Sequence, residues 1–521
     1  MVHAPIEDGP SKLDGENRIP WYSQLNSYHW WVLIVAALGW LFDTMDQRLF
    51  TLARQPALND LLKTDFDADY PRILEARTKK EADDAAKNVS KPVDPNAAKL
   101  TPEQAKEKDF KAYVQLYGGY ATMIFLFGWA TGGLFFGMIG DRWGRVLTML
   151  LTILIYSLFT GLSAFATGWL DFAFYRFLAG IGVGGEFAAG VALVAEVMPP
   201  DARPYCLGAL QALSAVGNIM GSLAFYLLNR GVTVSQGVFG LAEDWTIAGW
   251  RIVFLVGILP ALLIVAVRRN LDEPESWKNA KEDEERARRE GTESKELGSI
   301  SELLGNPTWA YRVAIGISLS VAGVVGLWGV GFWTPELLRN IVLQGVSDGE
   351  KNDWSALMTG LQDVGGFFGI GLFTILTAYM GRRPAFAFSF VAALATTCFV
   401  FGMMSKELTL FGVTLGYQAQ IFLMGPLIGF FNLAVFGGYA IYFPELFPTR
   451  LRSTGTGFCY NVARFVAALG PLTLGLLADA YRSAGYTEPL RPAAITVASV
   501  YLVGLVMLLF APETKDQPLP E

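Results

Sequence analysis

Apolar runs of about 20 residues, the length that spans a bilayer, recur along the 521-residue chain between short polar turns. They fall near 30–54, 113–139, 146–166, 171–198, 204–228, 250–268, 309–333, 355–379, 384–404, 417–443, 453–478 and 493–511. The pattern predicts twelve membrane-crossing helices, and an even number puts both termini on one side. Two hydrophilic stretches break the rhythm. Residues 55–112 (for example Lys79-Lys-Glu-Ala-Asp-Asp84) read as an insert on the outer face, either a small solvated cap or a mobile loop. Residues 270–307 read as a helical linker, a solvated spacer with (i, i+4) ion pairs rather than a docking site.

Basic residues orient this set. Arg142, Arg145, Arg203, Arg382, Arg383, Arg450 and Arg452 crowd four short turns, and the central segment adds more. The alternate loops carry a thinner scatter, Arg230, Arg339, Lys351, Lys406, Arg482 and Arg491, apart from the 55–112 insert, whose lysines do not count because long translocated loops escape the charge rule. The positive-inside rule puts the dense set and both termini in the cytoplasm. The expected organisation is a tail (1–29), an N-terminal six-helix half (30–268) carrying the 55–112 insert, a linker (269–308), a C-terminal half (309–511) and a tail (512–521).

The halves repeat. Glu196-x-x-Pro199-xxx-Arg203 follows the fourth segment and Glu445-x-x-Pro448-xxx-Arg452 the tenth, with Gly208 and Gly457 at one offset beyond. Gly137-Met-Ile-Gly-Asp-Arg-Trp-Gly-Arg145 returns as Ala378-Tyr-Met-Gly-Arg-Arg383, in which Gly381 matches Gly144 and the acidic residue is lost. Matching motifs in matching loops indicate a duplicated six-helix unit.

Composition agrees with a membrane protein: 52% hydrophobic residues, 17% charged and a mean hydropathy of +0.35. The net charge of −7 gives no reason to expect a nucleic-acid partner. Three cysteines in apolar segments and two isolated histidines argue against a metal site, a disulfide framework or a histidine-based catalytic triad. The polar, mixed-charge first 29 residues do not look like a cleavable signal.

Charges at bilayer depth are costly unless paired or hydrated, so each is a functional candidate. Asp43 and Asp46 share one face of the first helix, and carboxylates so close resist being ionised together, the physics of a proton-binding site. The alternative is that Asp46 and Arg48 are merely solvated at the outer interface. Arg176 opens the fourth segment, has no counterpart in the second half (Gly425 stands there), and falls at the depth of Asp46. An Asp46–Arg176 pair could couple protonation to a change of state, or could simply orient two helices. Glu186 is a second proton carrier or a protonated, hydrogen-bonded carboxyl group. Arg464 is either neutralised by Asp363, beside Gln362, or docks an anionic substrate through its planar fork; Arg48 could dock it too. Gln211, Asn218, Trp328, Trp333, Asn432, Tyr439, Tyr460 and Asn461 could line a central cavity.

The Gly137–Arg145 turn resembles the signature loop of the major facilitator superfamily, and Arg176-xxx-Gly-x-Gly-x-Gly-Gly-Glu186 with the two Glu-x-x-Pro-xxx-Arg turns extends the resemblance. Asp43-Thr-Met-Asp46 resembles the paired aspartates of metabolite:proton symporters of the sialate/monocarboxylate and aromatic-acid types. Sugar porters share much of this pattern, but their Gln-Gln signature is missing around 318–333. The resemblance implies an all-α membrane fold of two six-helix repeats, with Asp46 and Arg176 as the proton-coupling pair. It implies a cytoplasmic latch of Gly137, Asp141, Arg142, Gly144, Arg145, Glu196 and Arg203, with Glu445 and Arg452 from the second half. That half's latch is expected to be weak or absent, because Ala378 and Tyr379 replace Asp and Arg.

These readings converge on a proton-coupled symporter of a small organic anion. It would be a monomer in the cytoplasmic membrane of a bacterium, using no cofactor but the proton and no enzyme chemistry. The alternatives are a sugar or polyol symporter or facilitator, and a nutrient sensor on the same fold.

Overall fold

A computed structural model describes residues 20–86, 101–228, 232–234, 245–262, 271–292, 295–410 and 412–521. The first 19 residues and the end of the sixth apolar segment (263–268) lie outside them. Helices α1 (Ser27–Leu61), α2 (Lys63–Ala86), α3 (Pro102–Arg142), α4 (Arg145–Ser163), α5 (Trp169–Val197), α6 (Arg203–Leu228) and α7 (Gly249–Val256) form the first half. Helices α8 (Glu275–Glu290) and α9 (Ile300–Gly305) follow in the linker. The second half contains α10 (Pro307–Leu337), α11 (Asp348–Met380), α12 (Arg382–Met403), α13 (Tyr417–Leu446), α14 (Arg452–Ala467), α15 (Gly470–Ser483), α16 (Leu490–Ala498) and α17 (Val500–Leu508). Two short antiparallel hairpins complete the described elements.

Nine helices among the described residues are long and apolar enough to cross a bilayer. The other three crossings have local reasons to escape that count. Helix α1 carries Asp43, Asp46, Arg48 and Arg54; the sixth crossing runs into undescribed residues; the eleventh is split between α14 and α15.

Glycines set the distance between helices. A Cβ at Gly132 would lie 2.0 Å from the Ile181 carbonyl oxygen, and one at Gly184 would lie 1.9 Å from that of Trp129, so α3 and α5 meet backbone to backbone. The second half repeats this between α11 and α13. There Gly365 faces the Pro426 carbonyl at 2.0 Å and Gly369 that of Phe430 at 1.9 Å. Two seams join the halves: α3 packs on α14, and α6 packs on α11. In the first, a Cβ at Gly457 would lie 2.6 Å from the Gly133 carbonyl.

Over its described residues the 55–112 insert is a docked helical cap rather than a mobile loop. Helix α1 continues to Leu61, α2 follows at once, and α3 begins at Pro102 behind a Thr101/Gln104 capping box. The 41-residue α3 is about 60 Å long, twice the roughly 30 Å apolar thickness of a bilayer, so its first turns project. Buried Phe66 holds α2 to them through Phe110 and Tyr113. Lys106 pairs with Asp67 at 2.7 Å. Those aromatics, lost among charges in the sequence, are why the insert is helical and docked. Residues 87–100 lie outside the described part.

Candidate functional site

At the centre of the first half, three carboxylates are withdrawn from solvent: Asp43 and Asp46 on α1, and Glu186 on α5. Gly39, one turn before Asp43, makes room for Glu186; a Cβ there would lie 2.2 Å from its Oε1. Asp43 accepts from Gln47 Nε2 at 3.3 Å. Asp43 Oδ1, both Asp46 oxygens and Glu186 Oε2 have no hydrogen-bond partner among the described residues. Tyr156 of α4 is buried, and its hydroxyl has no hydrogen-bond partner among the described residues. Thr160 stands near Asp46, outside hydrogen-bonding geometry.

Two buried guanidinium groups adjoin this cluster. Arg176 donates to Ser163 Oγ (2.7 and 3.0 Å) and to the Phe159 carbonyl (3.1 Å), with its charge 4.8 Å from the Phe254 ring centre. It feels Asp46 through space, but no ion pair within 4 Å forms between them, and Arg176 Nη1 is unpartnered. Arg464 of α14 sits between Trp129 (4.0 Å) and Tyr460 (4.1 Å). It donates to the Tyr460 carbonyl at 2.7 Å and to Asn461 Oδ1 at 3.3 Å. The Arg464 Nε has no hydrogen-bond partner among the described residues. Tyr460 stacks on Phe187 at 3.9 Å. Trp40, Glu186 and Phe187 close together with no water-sized cavity between them. Unpartnered buried donors and acceptors cost free energy until something satisfies them. A proton or an anion can do so here.

A second set of charges lies at the end of the bundle where the short arginine-rich turns gather. Arg145 pairs with Glu196 (2.9 Å) and Asp141 (3.1 Å), and Arg452 reaches the same Glu196 at 2.9 Å from the other half. Asp141 accepts from the Ser453 and Thr454 amides (3.1 and 2.8 Å) and from the Thr454 hydroxyl (2.5 Å). It thereby sits on the N-terminus of α14, where the helix dipole favours an anion. Gly137 lets this contact form, since a Cβ there would lie 3.0 Å from the Ser453 carbonyl. Gly144 turns the chain at φ 116°, a conformation that favours glycine.

A profile described as "Sugar (and other) transporter" matches residues 87–521. The chain belongs to that family. Among similar proteins, a putative metabolite transport protein of Haemophilus influenzae is 28% identical, covering 77% of this chain and 88% of the relative. A cis,cis-muconate transport protein of Acinetobacter baylyi is 29% identical, covering 75% and 84%. The solved structure of the proton:xylose symporter XylE superposes with a TM-score of 0.64 at 18% identity, covering 95% of this chain and 98% of that one. The fold is that of the major facilitator superfamily, with twelve crossings in two six-helix repeats. The protein is a multi-pass membrane transporter and not an enzyme.

Within this transporter the residues singled out in sequence divide unevenly. Asp43, Asp46, Glu186, Arg176, Arg464, Tyr460 and Asn461 gather near the centre. Asp363 does not neutralise Arg464: it takes Arg48 at 2.5 Å and Asn218 at 3.0 Å, because α1 and α6, packed on each other, bring one donor each across the seam. Asn432 accepts from Tyr501 and donates to the Ile428 carbonyl, while Tyr439 donates to the Leu319 carbonyl. Both bind helices together within the second half. Gln211 is buried with its carbonyl oxygen unpartnered, and Gln362 is half-buried. Trp333 is in a core cluster, and the Trp328 side chain lies outside the described residues.

The charged turns also depart from expectation. Arg142 donates to the Leu297 carbonyl and Arg203 to that of Met198, so neither joins the ion pairs; Arg452 fills that place. The second half keeps most of its own latch, since Arg382 makes a bidentate pair with Glu445 at 2.7 and 3.0 Å. What it lacks is the Asp141 limb and the arginine from the opposite half, since Arg203 does not reach Glu445 as Arg452 reaches Glu196. Two carboxylates that the sequence reading passed over complete both networks: Glu273 accepts from the Arg145, Val146 and Leu147 amides, and Glu513 from those of Arg382 and Arg383. The signal was a Pro-Glu or Glu-Pro pair after the sixth and twelfth segments (Glu273-Pro274, Pro512-Glu513). The linker is correspondingly more than a spacer. Its outer face carries the expected pairs Arg288–Glu284 and Arg289–Glu285, but Trp277 is buried and donates to the Asp141 carbonyl at 2.6 Å.

Proposed function

We propose that this transporter is a proton-coupled symporter of a small organic anion, working as a monomer by alternating access around the central cluster. The reading assigns the arginine-rich end, the linker and both termini to the cytoplasm of a bacterial cell, with residues 30–268 and 309–511 as the two moving halves. One observation carries the anion assignment. Arg176 and Arg464 are among the largest fully buried side chains, yet neither has a carboxylate within 4 Å among the described residues, whereas buried Arg145 and Arg452 do. A buried guanidinium with an unpartnered N–H offers a substrate carboxylate a charge-assisted bond at little added desolvation cost. Arg464 is the better anchor, because Trp129 and Tyr460 cover its faces and suit a flat, unsaturated acid. The muconate-transporting relative supports that substrate class.

Asp46, with Asp43 and Glu186, carries the coupled proton in this reading. Proton arrival at Asp46 weakens its hold on Arg176 and changes the balance between states. Uptake of cis,cis-muconate into proteoliposomes should rise with an inward proton gradient. Asp46→Asn should abolish gradient-driven accumulation while counterflow exchange persists. Accumulation that ignores the gradient would remove the proton assignment.

A sugar or polyol reading draws on the family description and the xylose-transporting structural neighbour. The aromatic faces beside Arg464 would stack on a sugar ring as well. A competition panel of labelled acids and sugars separates the readings, and binding of sugars with indifference to every carboxylate would favour the second.

A further inference from the structure

The halves are tied at both ends of the central cluster, and the second tie belongs to no motif. Arg48 of α1 meets Asp363 of α11 at 2.5 Å, and Asn218 of α6 donates to the other Asp363 oxygen at 3.0 Å. Counting from the arginine-rich end at about 1.5 Å per residue, Arg48 lies roughly 30 Å along α1 and Asp363 roughly 25 Å back along α11. The pair is therefore level with Asp46, on the side of Glu186 and Arg464 away from Asp141, Glu196 and Arg452. Its first-half part is held firmly, because a Cβ at Gly221 would lie 2.8 Å from both Arg48 Cβ and the Met45 carbonyl. Asp363 draws both of its side-chain hydrogen bonds from the opposite half. Separation of the α6–α11 seam would break both bonds at once.

We propose that the Arg48–Asp363 pair closes the face opposite the arginine-rich turns, and that a substrate carboxylate opens it by replacing Asp363 on Arg48. This rests on the organic-anion reading above. Exchange of one carboxylate for another keeps the guanidinium satisfied throughout, avoiding the cost of stranding a buried charge. Asp363 is released into the water of the opening seam. A neutral solute offers Arg48 no such exchange, so Arg48 is a specificity-determining residue as well as half of a gate. Asn218 is a positioning residue that holds the Asp363 carboxylate for it.

The test uses the full chain with Cys206, Cys398 and Cys459 replaced by serine, spin-labelled at Thr167→Cys and Lys406→Cys, one site in each half. Distances between labels report closure, and calorimetric binding of cis,cis-muconate reports the exchange. Asp363→Asn should lengthen the distances and tighten muconate binding several-fold, because the internal competitor is gone. Arg48→Gln should lengthen the distances too, but weaken binding about tenfold or more. The charge-swapped R48D/D363R chain should close again without regaining affinity, which also guards against misfolding of a single variant. A structural brace would make the two single variants alike. The proposal is overturned if Asp363→Asn leaves the distances unchanged or weakens binding in step with Arg48→Gln. If the wild type binds no carboxylate, the organic-anion reading falls and the exchange with it, while the distances still decide closure.

Discussion

Glu273 and Glu513 hold equivalent helices by equivalent means. Glu273 accepts from three amides at the start of α4, and Glu513 from two at the start of α12. Each helix follows a glycine with positive φ, Gly144 or Gly381, which brings no side chain to cap it, so the carboxylate arrives from the end of the same half. The neighbours repeat as well. Ser276 donates to Glu196 at 3.4 Å, and Thr514 to Glu445 at 2.5 Å.

The two caps differ in how they respond to acid. Burial raises Glu273 above the ordinary glutamate range, more than its amide bonds lower it. Burial also raises Glu513, but its amide bonds outweigh that and hold it below the range. The Glu513 contribution is therefore present above the unfolded value of about 4.5 and lost as pH falls through the folded value. For Glu273 the sign reverses, with protonation favouring the folded chain as pH falls. Thermal melts of purified protein should show Glu513→Gln costing about 1 kcal/mol near neutrality, the size of a lost cap. The deficit should shrink toward pH 4, while the gap between wild type and Glu273→Gln should widen over the same interval.

Glu196 is bonded by arginines of both halves, Arg145 and Arg452. Glu196→Gln leaves buried Arg452 without an ionic partner and Arg145 with Asp141 alone. The cost should be about 3 kcal/mol, typical of breaking a buried pair from one side. Hydrogen exchange at residues 449–456 should quicken accordingly. Arg203→Gln, which removes only a bond to the Met198 carbonyl, should leave that exchange little changed.

The crossings and the duplication were legible because bilayer thickness and backbone satisfaction leave little freedom to a run of 20 apolar residues. Asp43, Asp46, Arg176 and Arg464 were legible because a charge in such a run is conspicuous. Pairing was not. Arg464 and Asp363 stood out for the same reason, but which cation Asp363 meets depends on how α6 lies against α11, and Gly221 gives no hint of that in sequence. Glu273 and Glu513 were hidden because they stand in polar surroundings where a glutamate is unremarked. The docked insert turned on one phenylalanine, Phe66, among many charges.

Backbone contact between α3 and α5 and between α11 and α13 makes two glycines equivalent tests of the repeat. Gly184→Ala and Gly369→Ala each drive a methyl group to within 1.9 Å of a carbonyl oxygen, and each should cost about 1–3 kcal/mol. Gly371, with nothing within 4 Å of a built Cβ, is the control, and alanine there should raise the melting temperature slightly through helix propensity. Unequal losses at 184 and 369 would mean that the halves pack differently.

The second seam lacks a tie like that of Asp141 for two reasons. Asp141 binds the Ser453 and Thr454 amides. At the matching seam Ala378 offers no carboxylate, and Pro204, in register with Ser453, has no N–H to donate. Ala378→Asp alone should therefore be taken up by Arg382, four residues on, much as Asp141 meets Arg145 at 3.1 Å, without tying α11 to α6. Adding Pro204→Ser supplies the missing donor at the helix N-terminus. One such charge-assisted bond is worth about 1.5–3 kcal/mol, so the closed state of the arginine-rich face should gain about tenfold or more over the open one. Spin labels at Asp201→Cys and Met380→Cys would report that gain as a larger short-distance population, with slower substrate exchange, in the double variant only. A gain of the same size from Ala378→Asp alone would show that the proline is not what keeps the second seam loose.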